Sequence, residues 1–206
     1  MGLRIAVVWG LGLFFASALF NPCLSENNVT LESLPWPNSS GCEICVSVQF
    51  EKLEMRLPLS KIGKILVAGS GAPVLHILPN TNAPRESVLF STVPPERLIR
   101  RYRKLGFLRG LGVTTNEQFF DLLGNPPRQN KSLATMRTIE NIGIASHYFK
   151  TSKDSIHAYW IDTPPPNLQR IYFVIDGEET VYSLWGNITQ ELYDAVLSNL
   201  RVVDVP

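Results

Sequence analysis

The sequence has few of the residues that usually carry chemistry. It contains three cysteines and three histidines in 206 residues, and its formal net charge is +1. A charge so close to zero gives no global field that would favour nucleic acid. The chain also lacks a G-x-S-x-G elbow, a phosphate-binding P-loop, a dinucleotide glycine fingerprint and an H-E-x-x-H zinc motif. These absences favour binding over catalysis and indicate no cofactor.

What the chain does have is enough apolar material for one sizeable core. Hydrophobic residues make up 45% of the sequence and aromatic residues 10%. A chain of this length and composition is typical of a single globular domain with short flanking segments. Prolines occur in pairs and triplets, which predicts stiff loops between the elements.

The N-terminus is typical of a secretory signal peptide. One arginine precedes the uncharged apolar run Ile5–Phe20, and small residues then offer cleavage after Ser25 or, earlier, after Ala18. The run is shorter than the roughly 20 apolar residues of a membrane-spanning helix, so we expect cleavage and no membrane span. The sequence therefore predicts a secreted or periplasmic protein, with a signal peptide over 1–25, an exposed leader over 26–41 and a single domain over 42–206.

Cys42 and Cys45 lie three positions apart, directly before an alternating apolar run. Such a spacing suits a structural disulfide, a redox centre or half of a metal site. Export favours the disulfide, and Glu43 between the two cysteines disfavours a reactive thiolate, because its charge would raise the pKa of a neighbouring thiol. Two residues this far apart in a strand cannot be bridged. The prediction is therefore a disulfide across a turn, followed soon after Cys45 by a strand.

Periodicity and turn signals predict an α+β fold. Alternation predicts strands over 46–50 and 53–57 with a turn at Glu51–Lys52, and further strands over 74–79 and 87–93. Ser60 is expected to cap a short helix over 61–69, Thr115 to cap a helix over 116–124, and Ser132 to cap the helix after it. In that last helix Glu140 shares the apolar phase of Leu133 and Met136 only imperfectly.

The last third of the chain predicts a meander and a terminal helix. Strands over 145–151 and 155–163 are followed by a hairpin whose turn is Asp176–Gly177, and then by an amphipathic helix over 188–200. We expect an antiparallel sheet with one face covered by helices. The ending, about sixty residues, is similar in outline to the sandwiches of PsbP-like proteins, a resemblance that implies a fold and no function.

A basic stretch is the clearest candidate for ligand binding. Six cations crowd into a predicted helix over 95–109: Arg97, Arg100, Arg101, Arg103, Lys104 and Arg109. They cover the arc of the helix that Leu98, Tyr102 and Leu105 do not use. Such a patch suits an anionic ligand or glycan or an acidic partner. The alternative is that the long side chains cover apolar surface while their charges stay in water.

Histidines and carboxylates give weaker candidates. If His147 lies directly opposite His157 in the predicted hairpin, both imidazoles share a face and form half of a metal site. A one-residue slip puts them on opposite faces. Asp176, Glu178 and Glu179 cluster in the hairpin turn, where we expect solvated carboxylates rather than an acid–base pair.

The sequence as a whole predicts a secreted or periplasmic, non-enzymatic binding domain whose partner is another protein or an anionic ligand. The aromatic residues of the final hairpin are either its contact surface or part of its core. The alternatives are a thiol–disulfide protein that uses Cys42 and Cys45, and an anion or glycan binder that uses the basic helix.

Overall fold

The computed structural model describes residues 29–38, 44–59, 62–68, 73–79, 87–125 and 130–204. These residues form eleven strands and four helices, which confirms the predicted α+β class. The predicted signal peptide lies outside the described residues, as do Cys42 and parts of the predicted leader. No helix in the described ranges is long and apolar enough to cross a membrane.

The first six strands precede the helical middle of the chain and the last five follow it. The strands are β1 (Leu31–Ser33), β2 (Cys45–Phe50), β3 (Leu53–Pro58), β4 (Lys64–Ala68), β5 (Val74–Leu78), β6 (Val88–Val93), β7 (His147–Lys153), β8 (Ile156–Asp162), β9 (Gln169–Ile175), β10 (Val181–Gly186) and β11 (Arg201–Val202). The helices are α1 (Ile99–Lys104), α2 (Asn116–Gly124), α3 (Lys131–Ile139) and α4 (Gln190–Ser198).

Eight strands form one sheet in the order β1-β7-β8-β9-β10-β6-β5-β4. Its pairs are antiparallel except β1 with β7. The predicted meander is confirmed, because β7 to β10 are consecutive neighbours in this sheet. A second sheet has the order β11-β3-β2, and its β2–β3 hairpin turns at Glu51, which adopts a left-handed φ of 51°.

Both faces of the large sheet are covered, which corrects the expectation of one covered face. Alternate residues of each central strand point to opposite sides: Ala158 and Trp160 join one hydrophobic cluster, and Tyr159 and Ile161 join the other. The first cluster packs against the small sheet and α4, and the second packs against α1, α2 and α3. Tyr172, Phe173 and Tyr182 of the final hairpin are buried, so these aromatic side chains belong to the core.

The predicted helix over 61–69 is wrong, because the segment forms the edge strand β4. Its register pairs Ile65 with Ile77 and Val67 with Leu75. All five residues of β4 are exposed, so no helical apolar stripe could have been buried there. The free backbone edge of β5 and the β-branched side chains of this segment favour a strand.

Helix boundaries follow capping chemistry with one correction. Thr115 caps α2 as predicted, and Gln118 completes a reciprocal capping box. The cap of α3 is Asn130 rather than Ser132, because the Asn130 side chain accepts the Leu133 amide. The predicted helix over 95–109 is shorter than expected: a 3₁₀ turn over Pro95–Arg97 leads into α1, which ends at Lys104.

Candidate anion-binding site

The six cations of the basic stretch separate into three groups. Arg97 and Arg101, one helical turn apart, line one cavity. Arg100 and Arg103 line a different cavity beside the Asp176–Gly177 turn. Lys104 and Arg109 are exposed and line neither. The helix therefore does not present one continuous basic patch, as the sequence suggested, but divides its charges between two places.

The cavity with Arg97 and Arg101 is the larger of the two, about 460 Å³. We call it the arginine cavity. It lies between the start of α1, the end of α3 and strands β6, β9 and β10. Its walls carry three guanidinium groups, a carboxylate, aromatic rings and hydroxyl groups, contributed chiefly by Arg97, Arg101, Arg170, Glu140, Tyr172 and Trp185.

Two of the three guanidinium groups in the arginine cavity are not neutralised by any carboxylate in the part of the chain that the structure describes. No carboxylate among the described residues forms an ion pair with Arg97 or Arg101. Arg100, on the other side of the same helix, bonds to both Glu96 and Glu179. Among the described residues, carboxylates therefore neutralise Arg100 on the turn side and leave Arg97 and Arg101 cationic on the cavity side.

The inner wall of the arginine cavity contains a buried carboxylate. Glu140, the C-cap residue of α3, is 6% exposed. One of its oxygens accepts a hydrogen bond from the hydroxyl of Tyr102 in α1, and the other accepts one from the hydroxyl of Tyr172 in β9 at 2.6 Å. Burial, followed by the charge of Glu140, raises the pKa of both tyrosines, so both hydroxyls stay protonated and donate.

Arg170 extends this network to the cavity surface. Its Nη1 donates to the Tyr172 hydroxyl oxygen at 2.6 Å, and its guanidinium lies 5.4 Å from the Tyr172 ring centroid and 5.8 Å from that of Trp185. Burial opposes the charge of Arg170, but the interactions with Tyr172 and Glu140 outweigh it and raise the pKa of the guanidinium. Arg170 is therefore a fixed positive charge on the cavity wall.

Hydroxyl groups complete the cavity. Ser91 of β6 and Ser183 of β10 are cross-strand neighbours, and their hydroxyl oxygens lie 3.1 Å apart. A hydroxyl can donate or accept, so this pair can contact a ligand of either character. Three guanidinium groups against one carboxylate leave the arginine cavity with a positive excess.

The second cavity, which we call the turn cavity, has a volume of about 230 Å³. The carboxylates of the β9–β10 turn are not simply solvated, as the sequence suggested. Glu178 pairs with Lys52 at 2.5 Å, Glu179 pairs with Arg100, and Asp176 contacts His157. The Asn116 amide also donates to the backbone oxygen of Glu179 at 3.0 Å. The turn is thus bonded to four other parts of the chain.

The condition for a metal half-site, that His147 lies directly opposite His157, is not met. The β7–β8 register pairs His147 with Asp162 and Ser152 with His157, so the two imidazoles point to opposite faces of the sheet. The reason is the position of the β7–β8 turn, where Asp154 adopts a left-handed φ of 52°. This turn sets a register that places Ser152, five residues after His147, opposite His157. The ring of His147 instead stacks on Phe149 at 5.2 Å.

Cys45 is the first residue of β2, as the predicted strand requires, and it has a bonding partner in the structure. Its predicted partner Cys42 lies outside the described residues. The Leu59 amide donates to the Ile44 oxygen at 3.0 Å, so the backbone is already paired with the neighbouring strand one residue before Cys45.

Comparison with known proteins provides no relative. No protein-family model matches the chain, and no curated protein matches it. The function of this chain therefore has to be inferred from its own residues and their geometry. Sequence reasoning had found Arg97 and Arg101 but missed Arg170 and Glu140. The available signal was Glu140 itself, a charged residue close to the apolar phase of α3, which predicts a buried carboxylate with partners.

Removing the buried carboxylate tests whether it holds the helices to the sheet. Replacing Glu140 with alanine leaves the Tyr102 and Tyr172 hydroxyls buried without an acceptor, and we expect a loss of about 3 kcal/mol in the free energy of unfolding. The control Glu140→Gln keeps the shape and one acceptor oxygen and should cost less. Urea unfolding followed by circular dichroism measures both; an alanine variant within about 0.5 kcal/mol of wild type would contradict the assigned role.

Proposed function

We propose that this protein is an exported, non-enzymatic binding domain and that its ligand is a compact anion bound in the arginine cavity. The observation that carries the proposal is the convergence of Arg97, Arg101 and Arg170 on one cavity of about 460 Å³. Two of these arginines have no carboxylate partner among the described residues. A cation that the fold leaves unpaired beside a concave surface is available for a ligand.

The geometry favours a small ligand over an extended polyanion. Cavities of about 300 to 1,000 Å³ are typical of small-molecule sites. A long polyanion would be expected to use all six cations, but Arg100 and Arg103 face the turn cavity, and Lys104 and Arg109 project elsewhere. The three cavity arginines instead line the same cavity, and guanidinium groups bind pairs of oxygens of a carboxylate, sulfate or phosphate group.

The remaining walls indicate that the ligand has an uncharged part. Trp185 is partly exposed and lies against Arg170, and Ile139, which also lines the cavity, is 39% exposed. An aromatic and an aliphatic side chain can pack against a sugar ring or a short carbon chain. An acidic sugar or a small organic acid therefore fits the cavity better than a bare inorganic anion.

Removing two positive charges inside the arginine cavity, and in a control two positive charges outside it, tests this proposal. The double variant Arg97→Gln, Arg101→Gln should bind citrate and a sulfated heparin disaccharide at least about tenfold more weakly, since two charge-assisted hydrogen bonds are lost. The control Lys104→Gln, Arg109→Gln removes the same net charge from the same segment outside the cavity and should bind both probes like wild type. Isothermal titration calorimetry measures the dissociation constants.

The ionic strength separates the possible results. Affinity at the arginine cavity should fall as salt rises from about 20 mM to about 300 mM, because charge–charge attraction is screened. Equal losses of affinity in the two double variants would mean a diffuse electrostatic effect and would contradict binding in the arginine cavity. An affinity that does not change with the salt concentration would contradict an anion site altogether. If only the disaccharide binds, the ligand is a glycan; if only citrate binds, it is an organic acid.

The export proposal includes a disulfide between Cys42 and Cys45. Supporting it, Cys45 begins a strand whose pairing extends back to Ile44, and its side chain is not free of partners. A short-loop disulfide of this kind contributes on the order of 2 kcal/mol. It would clamp the point at which the chain enters β2.

Thiol trapping tests the disulfide on the chain that begins after Ser25. Neither Cys42 nor Cys45 should react with iodoacetamide at neutral pH, and both should react after denaturation and reduction, as intact mass reports. Reaction of the native, unreduced protein would contradict the disulfide. Rapid reduction by a small excess of dithiothreitol under native conditions would instead support the thiol–disulfide alternative.

A further inference from the structure

A second group of polar side chains lies apart from the arginine cavity. Glu117 of α2, His157 of β8 and Asp176 at the end of β9 each offer a ligand atom, and these atoms all lie within 4.8 Å of one another. The three residues come from three separate elements, so no spacing along the chain marks them as a group. They meet because α2 packs across the strands at the end that holds the β9–β10 turn.

The imidazole of His157 is held by both of its ring nitrogens. Nδ1 lies 2.8 Å from the Ser152 hydroxyl oxygen, and Nε2 lies 3.0 Å from Asp176 Oδ1. If Nδ1–H donates to Ser152, the lone pair of Nε2 points toward Asp176. Histidine ligands of metals are commonly oriented in this way by a hydrogen bond at the second nitrogen. Ser152 therefore supplies the orienting contact.

The groups in direct contact with the cluster carry a negative excess, although Arg100 and Arg103 line the same cavity. Lys150 Nζ lies 2.9 Å from Glu117 Oε1 and 2.9 Å from Asp121 Oδ1. The carboxylates of Glu117, Asp121 and Asp176 outnumber this one ammonium by two. The Glu117 oxygen that Lys150 contacts, Oε1, also lies 3.7 Å from His157 Nδ1, so a bound metal ion would compete with Lys150 for this carboxylate.

A buried polar atom next to the cluster has no partner. Asn116, adjacent to Glu117, is 5% exposed, and its Oδ1 has no hydrogen-bond partner among the described residues although its amide nitrogen donates to the turn. Asn116 lines the turn cavity together with Glu117 and Asp176. An amide oxygen is an oxygen ligand for a cation, directly or through a bound water. A cation in this cavity would satisfy an acceptor that the protein leaves unpaired.

We propose that Glu117, His157 and Asp176 bind a divalent transition-metal ion at the edge of the turn cavity. Two ligand atoms of one zinc or manganese ion, each about 2.0 to 2.2 Å from the metal, lie about 3 to 4 Å apart. The 3.0 Å between His157 Nε2 and Asp176 Oδ1 falls in that range. The imidazole favours zinc over calcium and magnesium, which prefer oxygen ligands alone.

Calorimetric titration with zinc chloride tests the site directly. The protein is used without an affinity tag and under non-reducing conditions, so that neither added histidines nor free thiols bind the metal. We expect one zinc ion per chain and at least about tenfold weaker binding by His157→Gln and by Asp176→Asn. Millimolar calcium or magnesium should not displace the ion. Ser152→Ala should weaken zinc binding by about tenfold, because the imidazole loses its orienting contact.

The matched control is His147→Gln, which removes a histidine from the opposite face of the same hairpin and should bind zinc like wild type. Absence of saturable zinc binding in the wild-type protein overturns the proposal, and so does equal loss in the His147 and His157 variants. Asp176 is more than half exposed at its side chain, so Asp176→Asn should fold even if His157→Gln does not. Far-UV circular dichroism of the metal-free proteins confirms the fold, and unchanged affinity in a folded Asp176→Asn variant also overturns the proposal.

Discussion

The structure depends on one buried carboxylate. Glu140 accepts hydrogen bonds from a tyrosine of α1 and a tyrosine of β9, and it thereby joins the end of α3, the basic helix and the centre of the sheet. A buried charge is costly unless it is fully hydrogen-bonded, so α1 and α3 can lie on the sheet only in the arrangement that brings Tyr102 and Tyr172 to this carboxylate. The same constraint fixes Arg170, which donates to Tyr172.

The placement of α1 then determines which of the cations in the basic stretch can bind a ligand. Once Tyr102 faces Glu140, the helical period turns Arg101 toward the arginine cavity and Arg100 toward the acidic β9–β10 turn, and the 3₁₀ turn before α1 brings Arg97 to the same cavity as Arg101. The carboxylates of that turn neutralise one side of the helix, and the other side stays cationic. The stretch of six cations thus contributes Arg97 and Arg101 to the arginine cavity, while Arg100 is held by ion pairs with Glu96 and Glu179. The proposed metal cluster lies beyond those ion pairs, where α2 meets β8.

Local signals in the sequence predicted much of the fold. Three features depend only on residues that are neighbours in the sequence, and each is present: the Asp176–Gly177 turn, the Thr115 cap and the amphipathic final helix. The edge strand β4 was missed because its five apolar and basic residues fit a helix as well as a strand, and only the free edge of β5 decides between them. The His147–His157 register was open because a hairpin turn can shift by a residue without changing its composition. Neither site could be predicted completely from the sequence. Glu140 and Arg170 of the arginine cavity meet only through tertiary packing, and so do Glu117 and His157 of the proposed metal site.

The central claim is that the Glu140 network positions the arginines that receive an anion. The most direct measurement is a nitrogen-15 NMR titration of the arginine Nε and tryptophan indole signals with citrate, for the wild-type protein and for a folded Glu140→Gln variant. Our account predicts that citrate shifts Arg97, Arg101, Arg170 and the Trp185 indole together in the wild type, and that the shifts of Arg170 and Trp185 shrink in the variant. Shifts confined to Lys104 and Arg109, or to Arg100 and Arg103, would contradict it.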